Sequence, residues 1–157
     1  MKNNKSFTSL ALILSLTLLI ATTVSAAEYV SVTKDKVNIR ATPSTKAAIS
    51  SEVFAGFPLE VLKRDGQWAK VVDFEGDKGW IHTSLISKDK TVIVRKKDIN
   101  LRQEPNTDKN TPVIATVKYG VVFTPLEKKG DWLRVRHDDT TEGWLSKSLV
   151  WPSDPLN

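Results

Sequence analysis

"GWIHTSL", residues 79–85, returns as "GWLSKSL", residues 143–149, a displacement of 64 residues in a chain of 157. Working outward from this pair decides the architecture. At the same displacement, "DGQWAKV" (65–71) aligns with "KGDWLRV" (129–135) and "ISSEVFAG" (49–56) with "VIATVKYG" (113–120). "VNIRATPST" (37–45) aligns with "INLRQEPNT" (99–107) at 62 instead, so two residues are inserted between Pro105 and Val113. Turn formers and charges fill that interval, and a surface loop absorbs such an insertion. The chain is one fold written twice.

Each copy reads as short strands separated by turns. "VSVTK" and "VNIR" flank a turn at Lys34 to Lys36, "PLEVLKR" and "QWAKVVDF" flank Asp65-Gly66, and "GDKGWIH" follows a turn at Glu75 to Asp77. The alternation in "PLEVLK" is imperfect. No window carries a sustained 3.6-residue apolar period, so helix is limited to a turn, best placed at Thr83 to Leu85. Five or so short strands per copy predict an all-β protein of two tandem small β-barrels, residues 28–87 and 90–151, joined by the charged linker "SKDK" (87–90). Closure matters at this size, because a domain of about 60 residues buries only about 60% of its unfolded surface.

Residues 1–26 have a different character. Lys2 and Lys5 precede the apolar run "LALILSLTLLIA" (10–21) and the small residues "VSA" (24–26), the pattern of a secretory signal peptide cut at Ala26/Ala27. The run is shorter than the roughly 20 residues that span a bilayer, and no later stretch approaches it. We expect a periplasmic or secreted protein with no stable membrane span after cleavage. The whole chain carries 23 basic and 18 acidic residues, net +5, and loss of Lys2 and Lys5 lowers this to +3. That mild excess, without a basic stripe, argues against a nucleic-acid partner. With no Cys, disulfides, thiol catalysis and thiolate metal sites are excluded together.

Gly79 and Gly143 suit a close strand approach that a side chain would block, and the following Trp80 and Trp144 offer large rings for burial. Trp68 and Trp132 begin strands after tight turns, which makes them half-covered candidates for a ligand platform. In "NIR" and "NLR", Asn38 and Asn100 are placed to bond a neighbouring turn. Arg40 and Arg102 either grip a ligand carboxylate in a fork, lie over an aromatic ring or pair with an acidic side chain. Tyr119 is the remaining candidate contact. Catalytic candidates are few. His82 corresponds to Ser146 and His137 to Asp73, so neither belongs to a duplicated site, and Ser84 and Ser148 read as turn caps. One His with scattered carboxylates falls short of a metal site, and no nucleophile, base and orienter come together. We expect no catalytic residue, cofactor or metal.

Together "VNIRATPST", "FAGFPLEVL", "DGQWAKVVDFEGDKGWIHTSLIS" and their second-copy partners resemble the bacterial SH3-like (SH3b) domain, in particular the tandem SH3-like proteins exported by alphaproteobacteria. The resemblance covers Tyr29 to Trp151. It implies a partly open SH3-like barrel of five to seven strands that serves as an accessory module, of the kind that holds cell-wall hydrolases on peptidoglycan. The implied function is non-catalytic binding of the cell envelope, through peptidoglycan peptide or glycan, with two linked weak sites reinforcing each other. The alternative is a protein-interaction or scaffold module for another periplasmic protein.

Overall fold

The computed structural model describes residues 26–138 and 140–156, so all of the expected signal peptide except Ala26 lies outside the described residues. Barrel 1 contains β1 (Glu28–Val32), β2 (Val37–Arg40), β3 (Ile49–Val53), β4 (Pro58–Asp65), β5 (Trp68–Val72), β6 (Lys78–His82) and β7 (Ile86–Ser87). Barrel 2 contains β8 (Val92–Val94), β9 (Ile99–Arg102), β10 (Val113–Val117), β11 (Val122–Lys129), β12 (Trp132–His137), β13 (Thr141–Ser146) and β14 (Val150–Trp151). The sheet orders, β3-β2-β6-β5-β4-β1-β7 and β10-β9-β13-β12-β11-β8-β14, are the same order repeated. The all-β class and the tandem barrels are as the repeat predicts. A 3₁₀ turn occupies Thr83–Leu85 and recurs at Lys147–Leu149.

Two strands per copy go beyond the sequence reading. Four of the five residues of β3 are exposed, so no alternation betrays it, and pairing to β2 alone makes it a strand. The two-residue β7 closes the sheet against β1. The imperfect alternation of "PLEVLK" has a cause in a β-bulge, where the β4–β5 register shifts between Val61 and Lys63. The corresponding shift falls between Pro125 and Glu127 in β11. A bulged residue reverses the side-chain phase beyond it. Pro125 sits where Val61 pairs with Glu28 in barrel 1. Lacking an N–H, Pro125 ends that ladder early, and β8 pairs with β11 only at Val122 and Phe123.

The core of barrel 1 includes Val30, Val32, Ile39, Leu59, Val71 and Ile81, and Val92, Val94, Leu101, Phe123, Val135 and Leu145 repeat it. The repeated glycines make this packing possible. A methyl group at Gly79 would lie 2.3 Å from Ile39 Cγ2 and 3.0 Å from the Arg40 carbonyl, and one at Gly143 would lie 2.7 Å from Leu101 Cγ. The burial expected for the following tryptophan is met at Trp80, 9% exposed, and only in part at Trp144. Strand alternation sends Ile81 and Leu145 into the cores, while Trp80 is buried outside the core cluster, beneath Lys63, and Trp144 is only half-buried.

The linker is a compact turn in which Asp89 N–H donates to Ser87 Oγ and Ser87 Oγ–H to Asp89 Oδ2 at 2.8 Å. It brings the outward faces of β1 and β8 together. Ile93 of barrel 2 is buried within the core cluster of barrel 1, with Val122 and Trp151 packed against it. Tyr29 meets Trp151 edge-to-face at 5.4 Å. The positions equivalent to Ile93 and Trp151 in barrel 1 are Ser31 and Ser87, which are small and bond each other at 3.1 Å. The tail folds back on barrel 2, where Asp154 accepts Lys128 at 3.1 Å and lies 3.3 Å from Lys147 Nζ.

Candidate functional site

The five sequence candidates separate into three places. Arg40 and Arg102 serve the fold. Arg40 Nη1 donates to the Ala47 carbonyl at 2.8 Å, clasping the loop between β2 and β3, and the lengthened loop of barrel 2 leaves Arg102 Nη1 3.5 Å from the Asp108 carbonyl. The expected aromatic or acidic partner is therefore a backbone carbonyl. Asn38 and Asn100 make no side-chain hydrogen bond among the described residues, and Asn100 is exposed.

Tyr119 belongs to the seam between barrels. Its ring packs on Phe74 at 5.4 Å and its hydroxyl donates to Glu75 Oε1 at 2.5 Å. The hydrogen bond to Glu75 pushes the Tyr119 hydroxyl up to about 12, burial and the Glu75 and Asp73 charges adding to it. Glu75 also stands with Asp73 and Asp77 in an exposed carboxylate group. Asp73 Oδ1 already accepts the Glu75 and Asp77 amides at 2.9 and 3.0 Å, which accounts for the cluster as a turn.

Trp68 and Trp132 lie on the outward sheet faces, half-buried as expected. Register places Trp68 opposite His82 and Lys70 opposite Trp80, so the two Trp are diagonal neighbours on one face. Trp68 meets His82 edge-on at 5.4 Å. His82 caps the 3₁₀ turn by accepting the Ser84 N–H at Nδ1, which leaves its ring proton on Nε2, 3.4 Å from Gln67 Oε1. His82, two residues before Ser84, supplies the cap, not Ser84 itself. In barrel 2 Ser146 replaces His82 and bonds Ser148 at 3.0 Å.

Around these rings the copies diverge in charge. In barrel 1 Lys63 lies opposite Lys70, Lys70 opposite Trp80, and Lys78 two residues before Trp80 on the same face. Lys63 Nζ stands 5.2 Å above the Trp80 ring. At the displacement of 64, these three lysines become Glu127, Arg134 and Glu142. Arg134 Nη2 donates to Glu142 at 2.6 Å while Nη1 approaches Glu127 at 3.6 Å, and the Glu142 hydrogen bond raises the already basic guanidinium further. The same surface is thus cationic and aromatic on barrel 1, and internally paired with a net charge of −1 from Glu127, Arg134 and Glu142 on barrel 2. Sequence reasoning missed Lys63, Lys70, Lys78 and Trp80 as a group. Aligning the copies exposes the lysine-for-glutamate exchanges, but only the bulge after Val61 puts Lys63 on the same face as Lys70.

Each barrel also has a mouth groove at the same place, of about 240 Å³ beside Ile39, Asp73 and Asp77 and about 290 Å³ beside Leu101, His137 and Thr141. Among the described residues no helix is long and apolar enough to cross a membrane.

The sequence model of the bacterial SH3 domain family matches residues 33–88 and again 95–152. Over 127 residues the chain is 28% identical to the "Putative N-acetylmuramoyl-L-alanine amidase YrvJ" of Bacillus subtilis (strain 168), a match covering 74% of this chain and 24% of that relative's length. Similar solved structures include an NlpC/P60 family protein from Bacillus cereus ATCC 10987, at 14% identity, 78% of this chain, 55% of that one and a TM-score of 0.36. NlpC1 from Trichomonas vaginalis follows at 14% identity, 88% of this chain, 50% of that one and a TM-score of 0.34.

Proposed function

The chain belongs to the bacterial SH3 domain family, and from that premise we propose that it is an exported, non-catalytic protein that binds peptidoglycan through the outward face of barrel 1. The observation that carries this is the group of Lys63, Lys70 and Lys78 around Trp68 and Trp80, against Glu127, Arg134 and Glu142 around Trp132 and Trp144. An aromatic floor stacks sugar rings or small peptide side chains, and the lysines attract the carboxylates of an anionic wall polymer. The matched amidase relative carries a name that points to the same polymer. Barrel 2 then supports and orients barrel 1 instead of duplicating its site. Secretion by cleavage at Ala26/Ala27 completes this reading.

Sedimentation with purified peptidoglycan tests it. Wild-type protein is expected in the pellet at low salt and in the supernatant at high salt, since exposed charges are screened. Substituting Lys63→Glu and Lys78→Glu together copies the barrel 2 pattern and is expected to reduce retention at least tenfold with an unchanged melting curve. Full retention by that variant, or wild-type protein that stays in solution at low salt, rules the reading out.

One observation favours interaction with another periplasmic protein instead. The edge strands β3 and β10 expose Ile49 (56%), Val113 (46%) and Ile114 (44%), and such edges accept an added strand. Capture of one stoichiometric protein from periplasm, lost on Ile49→Lys, would select it.

A further inference from the structure

The seam between the barrels is filled on one flank and open on another. Phe74 of barrel 1 meets Tyr119 of barrel 2 on the filled flank. At the displacement of 64, the counterpart of Phe74 is Asp138 and that of Tyr119 is Ala55. These two counterparts line a cleft of about 490 Å³ between the barrels, together with Phe54, Thr91, Val122 and Arg136. Where the repeat supplies two rings on one flank, it supplies a methyl group and a carboxylate on the other, and the seam gapes.

Two of the polar side chains in the cleft, Arg136 and Thr91, carry an atom without a protein partner. Arg136 stands where barrel 1 has Val72, so its charge belongs to this place and not to the fold. Its cross-strand neighbour Glu142 is held by Arg134 at 2.6 Å, and Arg136 forms no ion pair among the described residues. Arg136 Nε is enclosed without a hydrogen-bond partner, and so is Thr91 Oγ1. An enclosed donor without an acceptor destabilises a fold, and a charged one does so more. Both atoms belong to side chains that line one cleft, which marks a place where an outside acceptor can complete them. Asp138, at the rim, is 3.3 Å from His137 Nδ1.

We propose that this cleft binds the free carboxylate end of a short peptide. The Arg136 guanidinium, after a small rotation that opens Nε, presents a fork matched to a carboxylate. Thr91 Oγ–H offers a further donor, and Phe54 and Val122 cover the side chain next to the carboxylate. The volume suits one or two residues, and the apolar side chains of Phe54 and Val122 within the mixed lining favour an organic carboxylate over a bare inorganic anion. The inference is independent of the peptidoglycan face on barrel 1.

Titration of the purified protein with N-acetyl-alanyl-alanine, as free acid and as C-terminal amide, followed by NMR of backbone amides, tests it. The free acid is expected to shift the signals of Thr91, Gly120 and Arg136, and the amide to bind at least tenfold more weakly. Arg136→Gln is expected to weaken the free acid at least tenfold. Ala55→Tyr, which fills the cleft as Tyr119 fills the other flank, is expected to abolish those shifts while the protein stays folded. Lys109→Gln, the same charge change on a distant exposed loop, is expected to bind as wild type. Equal binding of acid and amide, shifts confined to the Trp68 face, unchanged affinity in Ala55→Tyr, or no shift at millimolar peptide overturns the proposal.

Discussion

Gly79 and Gly143 show most directly how one residue type holds this fold together. The nearest atoms to an added methyl group include a backbone carbonyl, 3.0 Å away in both copies, so rotation of a side chain cannot make room. Overpacking of a tight core costs about 1–3 kcal/mol, and with backbone in the way Gly79→Ala should fall at about 3 kcal/mol. Urea denaturation followed by tryptophan fluorescence measures it; a loss under 1 kcal/mol would mean that β2 and β6 separate more easily than their packing indicates. The crowding was legible in the sequence because both copies keep glycine before tryptophan. The destination of the tryptophan was not, because strand alternation fixes only that Trp80 and Ile81 point oppositely, and the tertiary fold chooses which of them enters the core.

At the level of elements, the β4 bulge governs both the fold and the proposed site. It turns Lys63 outward beside Lys70 and Trp80, and leaves Leu62 44% exposed. Further along the same strand, Arg64 Nη2 donates to Glu28 at 2.5 Å, tying the start of β1 to β4. The Arg64 hydrogen bond holds the Glu28 carboxyl below its ordinary value of 4.5, against the opposing effect of burial and with the Arg64 and Lys88 charges assisting. A carboxylate with a depressed folded pKa stabilises fully above 4.5, and that stabilisation is lost as pH falls through the folded value. Both side chains are more than a third exposed, so solvent screening limits the contribution to about 0.5 kcal/mol. Glu28→Gln should therefore lower stability slightly at pH 7, with the difference from wild type shrinking as pH falls below 4.5. Urea titrations at a series of pH values check this, and a difference that does not shrink with falling pH refutes the assignment. The loop clasp by Arg40 was ambiguous in the sequence for a related reason: a guanidinium at a strand end accepts many partners, and the loop's path supplies the one it meets.

The whole molecule is more than two barrels in series. Ile93 is 1% exposed and lies in the core cluster of barrel 1, and Trp151 packs against that cluster and Tyr29. A seam of this kind couples the barrels energetically, so wild-type unfolding is expected as one cooperative transition. Ile93→Ser installs the residue that barrel 1 has at Ser31 and should cost about 2–4 kcal/mol, with the transition splitting in two. Calorimetry tests this, and a variant that still unfolds in one step would place the coupling elsewhere. The fold of each copy was determined by the sequence alone, because turn chemistry, strand alternation and close-packing glycine are local signals that the chain states twice. The seam, the open cleft and the shared face of the lysines were decided only by tertiary structure. They depend on bulge phase and on contacts between distant residues such as Glu75 and Tyr119, 44 positions apart. They also depend on how the two copies differ, and a repeat pattern shows that difference without showing where in space it falls.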